Sequence, residues 1–442
     1  MSVRINLTEL DDEKQKDINK FLTFVPENKK VFKKNQFYSN EVTVPVKMYF
    51  TKNSKVHIPY TFCKLYYKKD FNTHSYPILN VTEFNGTLLP RQEEPYKEAL
   101  NHLSKHRTTT IALYPGFGKT FMGVKLSHSL NLWTCILVHR ESVGKQWVKT
   151  FKNCMPYLKD KVWFVSDKMI EDPKIIICMD GRVDKIPQKV IDNIGLLIID
   201  EAHCFCSSSR VRPMLAFSPK YIIAETATPE KDNGMHKMIQ SICGIHYIKK
   251  ISNKSYNFYI LNTKLDFVTA PGKYLELINL QCDSEERNNI ITNIVEQNKH
   301  FKTIIITNRV HHCKLLKKQL ESKNIESSEL YGSIKNYVPK NVLIGTGSKM
   351  GVGFDEANFC DKFDGRPSDL LIMCYTIANW ATFEQIRGRG MRADKPNVLI
   401  FNDKNQITKK HMTQIRKWVK ETNGNIIELN ISKLNDFKLN FL

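Results

Sequence analysis

The run Leu113-Tyr114-Pro115-Gly116-Phe117-Gly118-Lys119-Thr120 sets two glycines, a lysine and a threonine close together. It follows a β-prone stretch, Thr108 to Ala112, and opens a helix-compatible one from Phe121 towards Leu130. Strand, glycine turn, Lys-Thr and helix form the context a phosphate-binding loop requires. The glycines let backbone N–H groups close on phosphate oxygens with no Cβ in the way, and the helix N-terminus adds partial positive charge. Lys119 would reach the β- and γ-phosphates, and the Thr120 hydroxyl would hold Mg²⁺. The general pattern begins with Gly where Leu113 stands, and a Gly-Lys-Thr turn alone serves equally as a plain helix start. About eighty residues later, Ile198-Ile199-Asp200-Glu201-Ala202-His203 carries two carboxylates at the end of an apolar strand. Asp200 would face the metal, directly or through water, and Glu201 would polarise a water for attack on the γ-phosphate. That pair also reads as a helix N-cap. The two stretches together are far more specific than either.

Residues of this kind need a sheet to deliver them. Apolar runs recur at Cys135–Val138, Val162–Val165, Lys174–Cys178, Leu196–Ile199 and Tyr221–Ala224, with longer amphipathic stretches between. Strands without alternation, separated by helices, indicate a parallel sheet covered on both faces. After a β-prone, less patterned bridge, Ser252–Thr269, a second series follows at Thr303–Thr307, Asn341–Gly345, Leu370–Cys374 and Asn397–Phe401. Upstream, Val42–Val46, Lys47–Phe50 and Tyr60–Tyr67 read as β-strands. This gives a β-rich module over residues 1–85 and two α/β domains over 86–265 and 266–442.

The 442 residues carry a formal charge of +21 and a pI near 9.3, a field that attracts polyanions such as nucleic acid. Residues 28–85 alone hold ten lysines against three acids, interleaved with Tyr and Phe. Such a module could meet a phosphate backbone and stack bases, or its aromatics could fill its own core. No run approaches ~18 apolar residues, and Met1 to Lys20 is charged throughout, arguing against a membrane span or a leader segment. The eleven scattered cysteines read as reduced intracellular thiols. Cys204 and Cys206 beside His203 have no second half-site with metal-ligand spacing.

With these residues in view, Asp200-Glu201-Ala202-His203 resembles the DEAH form of the Walker B motif, and residues 88–401 resemble superfamily 2 helicases and translocases. Leu113–Thr120 is similar to the L-P-C-G-A-G-K-[ST] loop of the XPB-like branch. Leu89-Pro90-Arg91-Gln92 resembles that branch's L-R-P-Y-Q element. The resemblance implies that Gln92 contacts adenine and that Pro115, Gly116, Phe117, Gly118, Lys119 and Thr120 cradle the nucleotide. Ile136–Arg140 with Gln146-Trp147 resembles motif Ia, which places Arg140 and Gln146 along a nucleic-acid backbone. Thr226-Ala227-Thr228-Pro229 resembles motif III, so His203, Thr226 and Thr228 would couple nucleotide state to movement. Ile304–Arg309 resembles motif IV. Gly345-Thr346-Gly347 through Gly353-Phe354-Asp355 resembles motif V, which gives Thr346 to the strand and Gly353 and Asp355 to the nucleotide. Gln385-Ile386-Arg387-Gly388-Arg389-Gly390-Met391-Arg392 fits motif VI. Gln385, Arg389 and Arg392 would then join Lys119, Asp200 and Glu201 in catalysis, the two arginines on one helix face. The acidic stretch Cys360–Asp369 lengthens the connection after motif V and could alter how this domain meets its strand.

The resemblance thus implies two tandem RecA-like parallel-sheet domains behind the β-rich module. Its cofactors would be ATP and Mg²⁺, held at Thr120 and Asp200, and its partner nucleic acid, with duplex DNA favoured and RNA possible. The Lys/Asn-rich text is similar to helicases of large DNA viruses, including the poxvirus transcript-release group. The protein would be soluble and intracellular, and for a virus in host cytoplasm, nucleus or virion; its oligomeric state is left open, a monomer being compatible with the reading. The rival readings are an RNA helicase, an ATP-switched scaffold with little turnover, and a restriction-type motor.

Overall fold

The structure is a computed structural model that describes residues 2–27, 44–68, 75–227, 234–351, 354 and 356–430. The chain divides into two compact units, Met1–Lys250 and Ile251–Leu442. The first begins with a three-stranded antiparallel sheet: β1 (Ser2–Asn6), β2 (Phe50–Lys52) and β3 (Lys55–Pro59), in the order β1-β3-β2. Tyr60–Tyr67, expected as a strand, is instead an α-helix. Its buried residues, Tyr60 and Cys63, lie three apart, which is helical spacing. Aromatic and Thr content alone favours a strand, but packing of that face decides the outcome. Only part of the expected strand Val42–Val46 falls among the described residues, where Val46–Lys47 pairs with Thr23–Phe24.

The first unit's large sheet holds β4 (Thr108–Leu113), β5 (Thr134–Val138), β6 (Val162–Phe164), β7 (Ile175–Met179), β8 (Leu196–Ile199), β9 (Tyr221–Thr226) and β10 (Tyr247–Lys250). All are parallel, in the order β10-β4-β9-β8-β5-β7-β6. β8 is central and wholly buried, as its run of four aliphatic residues requires. Ile198 joins the core under the helices Lys119–Leu130 and Glu141–Cys154, while Ile199 points to the opposite core. That opposite core is continuous with Ile5, Leu22, Met48, Ile58 and Cys63. The N-terminal segment is therefore a wall of this unit.

The second unit repeats the plan with β11 (Tyr256–Asp266), β12 (Thr303–Thr307), β13 (Ser327–Leu330), β14 (Val342–Thr346), β15 (Leu370–Met373), β16 (Asn397–Lys404) and β17 (Gly424–Asn430). The order is β13-β14-β12-β15-β16-β11-β17, again all parallel. β11 falls within the β-prone bridge Ser252–Thr269. Two tandem RecA-like sheets are thus present, with a small antiparallel sheet at the N-terminus. Inside this unit Asp403 accepts from Thr263 Oγ1, Gln281 Nε2 and Arg287 Nε at 2.7–2.9 Å, with Arg287 fully buried. A buried guanidinium is tolerable only when paired this closely. The acidic stretch Cys360–Asp369 is fastened to its own unit: Lys302 N donates to Asp369 at 2.9 Å, and Lys302 Nζ donates to Arg366 O at 2.6 Å.

Candidate nucleotide-binding site

At the end of β4 the chain turns into α-helix Lys119–Leu130. Gly116 and Gly118 have φ of +82° and +98°, in the left-handed region that Cβ-bearing residues avoid. Nothing lies within 4 Å of a Cβ built on Gly116, so the loop is open there, whereas a Cβ on Gly118 would collide with Gln92 Nε2. Gln92 is buried in the first turn of the helix Pro90–His106. Its Oε1 accepts from Leu89 N and its Nε2 donates to Phe117 O, both at 2.9 Å. The residue expected at adenine thus braces the loop itself. Pro115 sits half-buried in the turn. Lys119 Nζ donates to Leu113 O at 3.2 Å, which gives the atypical first position of the loop a part in holding the lysine.

β8 delivers Asp200 and Glu201 beside this loop's strand system. Asp200 is 6% exposed, and its Oδ2 accepts from the Trp147 indole N–H at 2.8 Å. Burial first, and the adjacent Glu201 charge second, push its carboxyl up to about 6 against the pull of that hydrogen bond and of Lys119. Glu201 has φ +48° and ψ +51°. A left-handed glutamate costs about 1–2 kcal/mol, a strain of the kind that collects at functional sites. His203 Nδ1 lies 2.9 Å from Thr226 Oγ1 and 3.4 Å from Glu201 Oε2, joining the carboxylate strand to the next one. Arg140, half-buried, caps the helix Glu141–Cys154, with burial lowering its guanidinium from its ordinary value and Glu201 among the charges that counter this. Gln146 lies on the same helix, half-buried. Thr228 falls outside the described residues.

A hydroxyl at Thr120 and a carboxylate at Asp200 are the hard oxygen donors that Mg²⁺ prefers. With the open hollow at Gly116, this donor set fits a magnesium nucleotide. Two further residues were missed from sequence. Trp147 holds Asp200. Glu225 is fully buried at the end of β9, and burial and the Asp200 charge raise its carboxyl well above the usual range. An acid closing the apolar run Tyr221-Ile222-Ile223-Ala224 was the available signal for Glu225. Nothing in the text marks a tryptophan as a hydrogen-bond donor.

In the second unit Thr346 ends β14, with Oγ1 3.1 Å from Ser348 Oγ. Gln385 is buried on the helix Trp380–Gly390. Arg389, on the same helix, donates to the carbonyls of Gly351 and Phe354, beside the motif V segment. Arg392 lies in an exposed turn beyond the Met391 cap, so the expected common helix face is not formed. Gly388 and Gly390 weaken the last turn, which ends the helix before Arg392. Arg387 is a core residue, donating three hydrogen bonds to the Glu384 carboxylate at 2.6–2.9 Å and lying over the Tyr256 ring. Gly353 and Asp355 fall outside the described residues. Among the described residues, no helix is long and apolar enough to cross a membrane.

Residues 85–231 match the family described as Type III restriction enzyme, res subunit. The helicase-named protein 161L of Invertebrate iridescent virus 6 is 26% identical over 409 residues, covering 84% of this chain and 89% of its own. Protein 055L of Frog virus 3, also named a helicase, is 26% identical across 74% of this chain and 75% of its own. Among solved structures, yeast Dbp5 bound to RNA and ADP BeF3 superposes with a TM-score of 0.58 at 14% identity, over 77% of this chain and 90% of that one. A fragment named as an HsdR subunit of a type I restriction enzyme from Vibrio vulnificus YJ016 gives 0.57 at 14% identity, over 78% and 70%. Part of the chain thus matches a restriction-enzyme res-subunit family, the fold is a pair of tandem RecA-like sheets, and the sequence is similar to those of viral proteins named as helicases.

Proposed function

We propose that this protein is a nucleic-acid-stimulated ATPase that moves along or separates strands, of the DEAH, XPB-like type, with duplex DNA as its favoured substrate. The observation that carries the reading is the shared sheet edge. The Gly116–Thr120 loop leaves β4, Asp200-Glu201 leave β8 and Thr226 ends β9, all at the C-terminal ends of parallel strands, where α/β sheets bind ligands.

In this reading the loop N–H groups and Lys119 bind the triphosphate, and Thr120 and Asp200 would hold Mg²⁺. The ion, when bound, neutralises phosphate charge. Glu201 accepts the proton of the attacking water, and His203 passes the state of that carboxylate to Thr226. Arg389 and Arg392 supply positive charge to the transferring phosphoryl group. Arg140, Gln146 and Thr346 contact the strand. An intact general base argues against a switch with little turnover, since a switch needs none.

The test is the ATPase rate with duplex DNA, single-stranded DNA and single-stranded RNA, each with a parallel strand-displacement assay. Stimulation by duplex DNA is expected. Stimulation by RNA alone would transfer the substrate assignment to RNA, and no stimulation by any of the three would overturn the reading.

A further inference from the structure

Glu225 is the residue the mechanism above leaves unused. β8 and β9 run parallel with Ile199 beside Ala224, so the next pair along is Asp200 and Glu225. Neighbouring strands lie about 4.8 Å apart, and residues in the same register of a parallel pair face the same side. Asp200 and Glu225 therefore stand side by side on the face covered by the helices Lys119–Leu130 and Glu141–Cys154. The far end of Glu225 is placed by its contacts. A Cβ on Gly123 would meet Glu225 Oε1 at 2.8 Å and Trp147 at 2.6 Å. Gly123 lies one turn along the helix from Thr120, and Trp147 is the donor to Asp200. Glu225 thus reaches beneath the helix that carries Thr120.

Its two carboxylate oxygens are closed to solvent and meet no hydrogen-bond donor among the described residues. A buried carboxylate without a hydrogen-bond donor, on which the Lys119 charge is opposed by those of Asp200 and Glu201, calls for a partner that reaches it in another state of the protein. Among the described residues, no three His, Cys, Asp or Glu side chains are arranged to hold a metal by themselves.

We propose that Glu225 is a further carboxylate of the divalent-cation site, adding negative charge and acceptor oxygens from behind Asp200 once metal and nucleotide are bound. The inference rests on the ATPase reading. Such outer partners of metal ligands change affinity by about 10–100-fold.

The experiment measures Mn²⁺ binding by electron paramagnetic resonance, with and without ADP, on the full chain and on Glu225→Gln, Glu225→Leu and Asp200→Asn. ADP affinity in EDTA is measured in parallel. Expected are ADP-dependent Mn²⁺ binding in the wild type, its loss in Asp200→Asn, and affinity at least about tenfold weaker in both Glu225 variants, with metal-free ADP affinity unchanged. The leucine variant removes a buried acid and should fold even if glutamine leaves an amide unsatisfied. Wild-type Mn²⁺ affinity in either folded Glu225 variant overturns the proposal alone. No ADP-dependent Mn²⁺ binding in the wild type overturns the ATPase reading with it.

Discussion

Lys119 and Glu201 are each held by their own strand end, one donating to the Leu113 carbonyl and the other fixed in a left-handed backbone. Lys119→Ala should abolish stimulated hydrolysis while leaving most nucleic-acid affinity. Glu201→Gln should abolish turnover yet retain ATP, measured as phosphate release against nucleotide binding. Most of the wild-type rate surviving in Glu201→Gln would remove the assigned base. For Arg389, loss of its guanidinium also frees the carbonyls of Gly351 and Phe354. Arg389→Ala and Arg392→Ala should each lower turnover on the scale of ~10³ with little change in strand affinity. A collapse of strand binding with normal unstimulated hydrolysis would assign both arginines to the nucleic-acid surface.

Elements differ in how acid reaches them. His312, 1% exposed on the helix Val310–Ser322, has Nε2 2.8 Å from Asn288 Oδ1. Burial, and after it the Arg287 charge, push its imidazole down to about 3. Its folded value lies below the unfolded value of 6.5, so the stability it protects is complete above pH 6.5 and is lost as pH falls towards 3. At pH 5 the loss is about 2 kcal/mol. Hydrogen exchange resolved over the second unit at pH 7 and 5, corrected for intrinsic rates, should show this destabilisation in the wild type and a smaller one in His312→Gln. The same element scale separates what the text could show from what it could not. Thr303–Thr307 and Leu196–Ile199 were legible because both faces are buried, leaving unbroken aliphatic runs. Ser327–Leu330 and Gly424–Asn430 sit at sheet edges, half solvated and partly polar, and carry no such run. Tyr60–Tyr67 misled because its composition suits a pleated surface, while only the spacing of Tyr60 and Cys63 reveals a helix. The candidate nucleotide site is legible in the sequence as loop and carboxylate pair. Trp147, which holds Asp200 from a helix, and Glu225, set beside Asp200 by strand register, depend on tertiary packing that a single sequence does not display.

Across the whole molecule the +21 charge sets a long-range field, and strand affinity should fall steeply with salt. The N-terminal segment has a further duty. Ile5, Leu22, Met48, Ile58 and Cys63 share one core with Phe205, Met214 and Phe217. Deleting residues 1–85 should therefore unfold the first unit, seen as loss of protease resistance up to Lys250, before any effect on binding can be read. A truncated protein that stays folded and merely binds less steeply with salt would make the segment a separable module. The same seam also orders events in time. Ser2 N donates to Phe217 O, and Tyr247–Lys250 pairs beside Thr108–Leu113. On a ribosome the first strand emerges about fifty residues before its paired strand Lys55–Pro59, and Tyr247–Lys250, an edge strand of the large sheet, emerges more than two hundred residues after it. Nascent chains should then gain protection over the first unit only once Lys250 has cleared the exit tunnel. Until then the aliphatic face of Ser2–Asn6 is exposed to chaperones or to other unfinished chains.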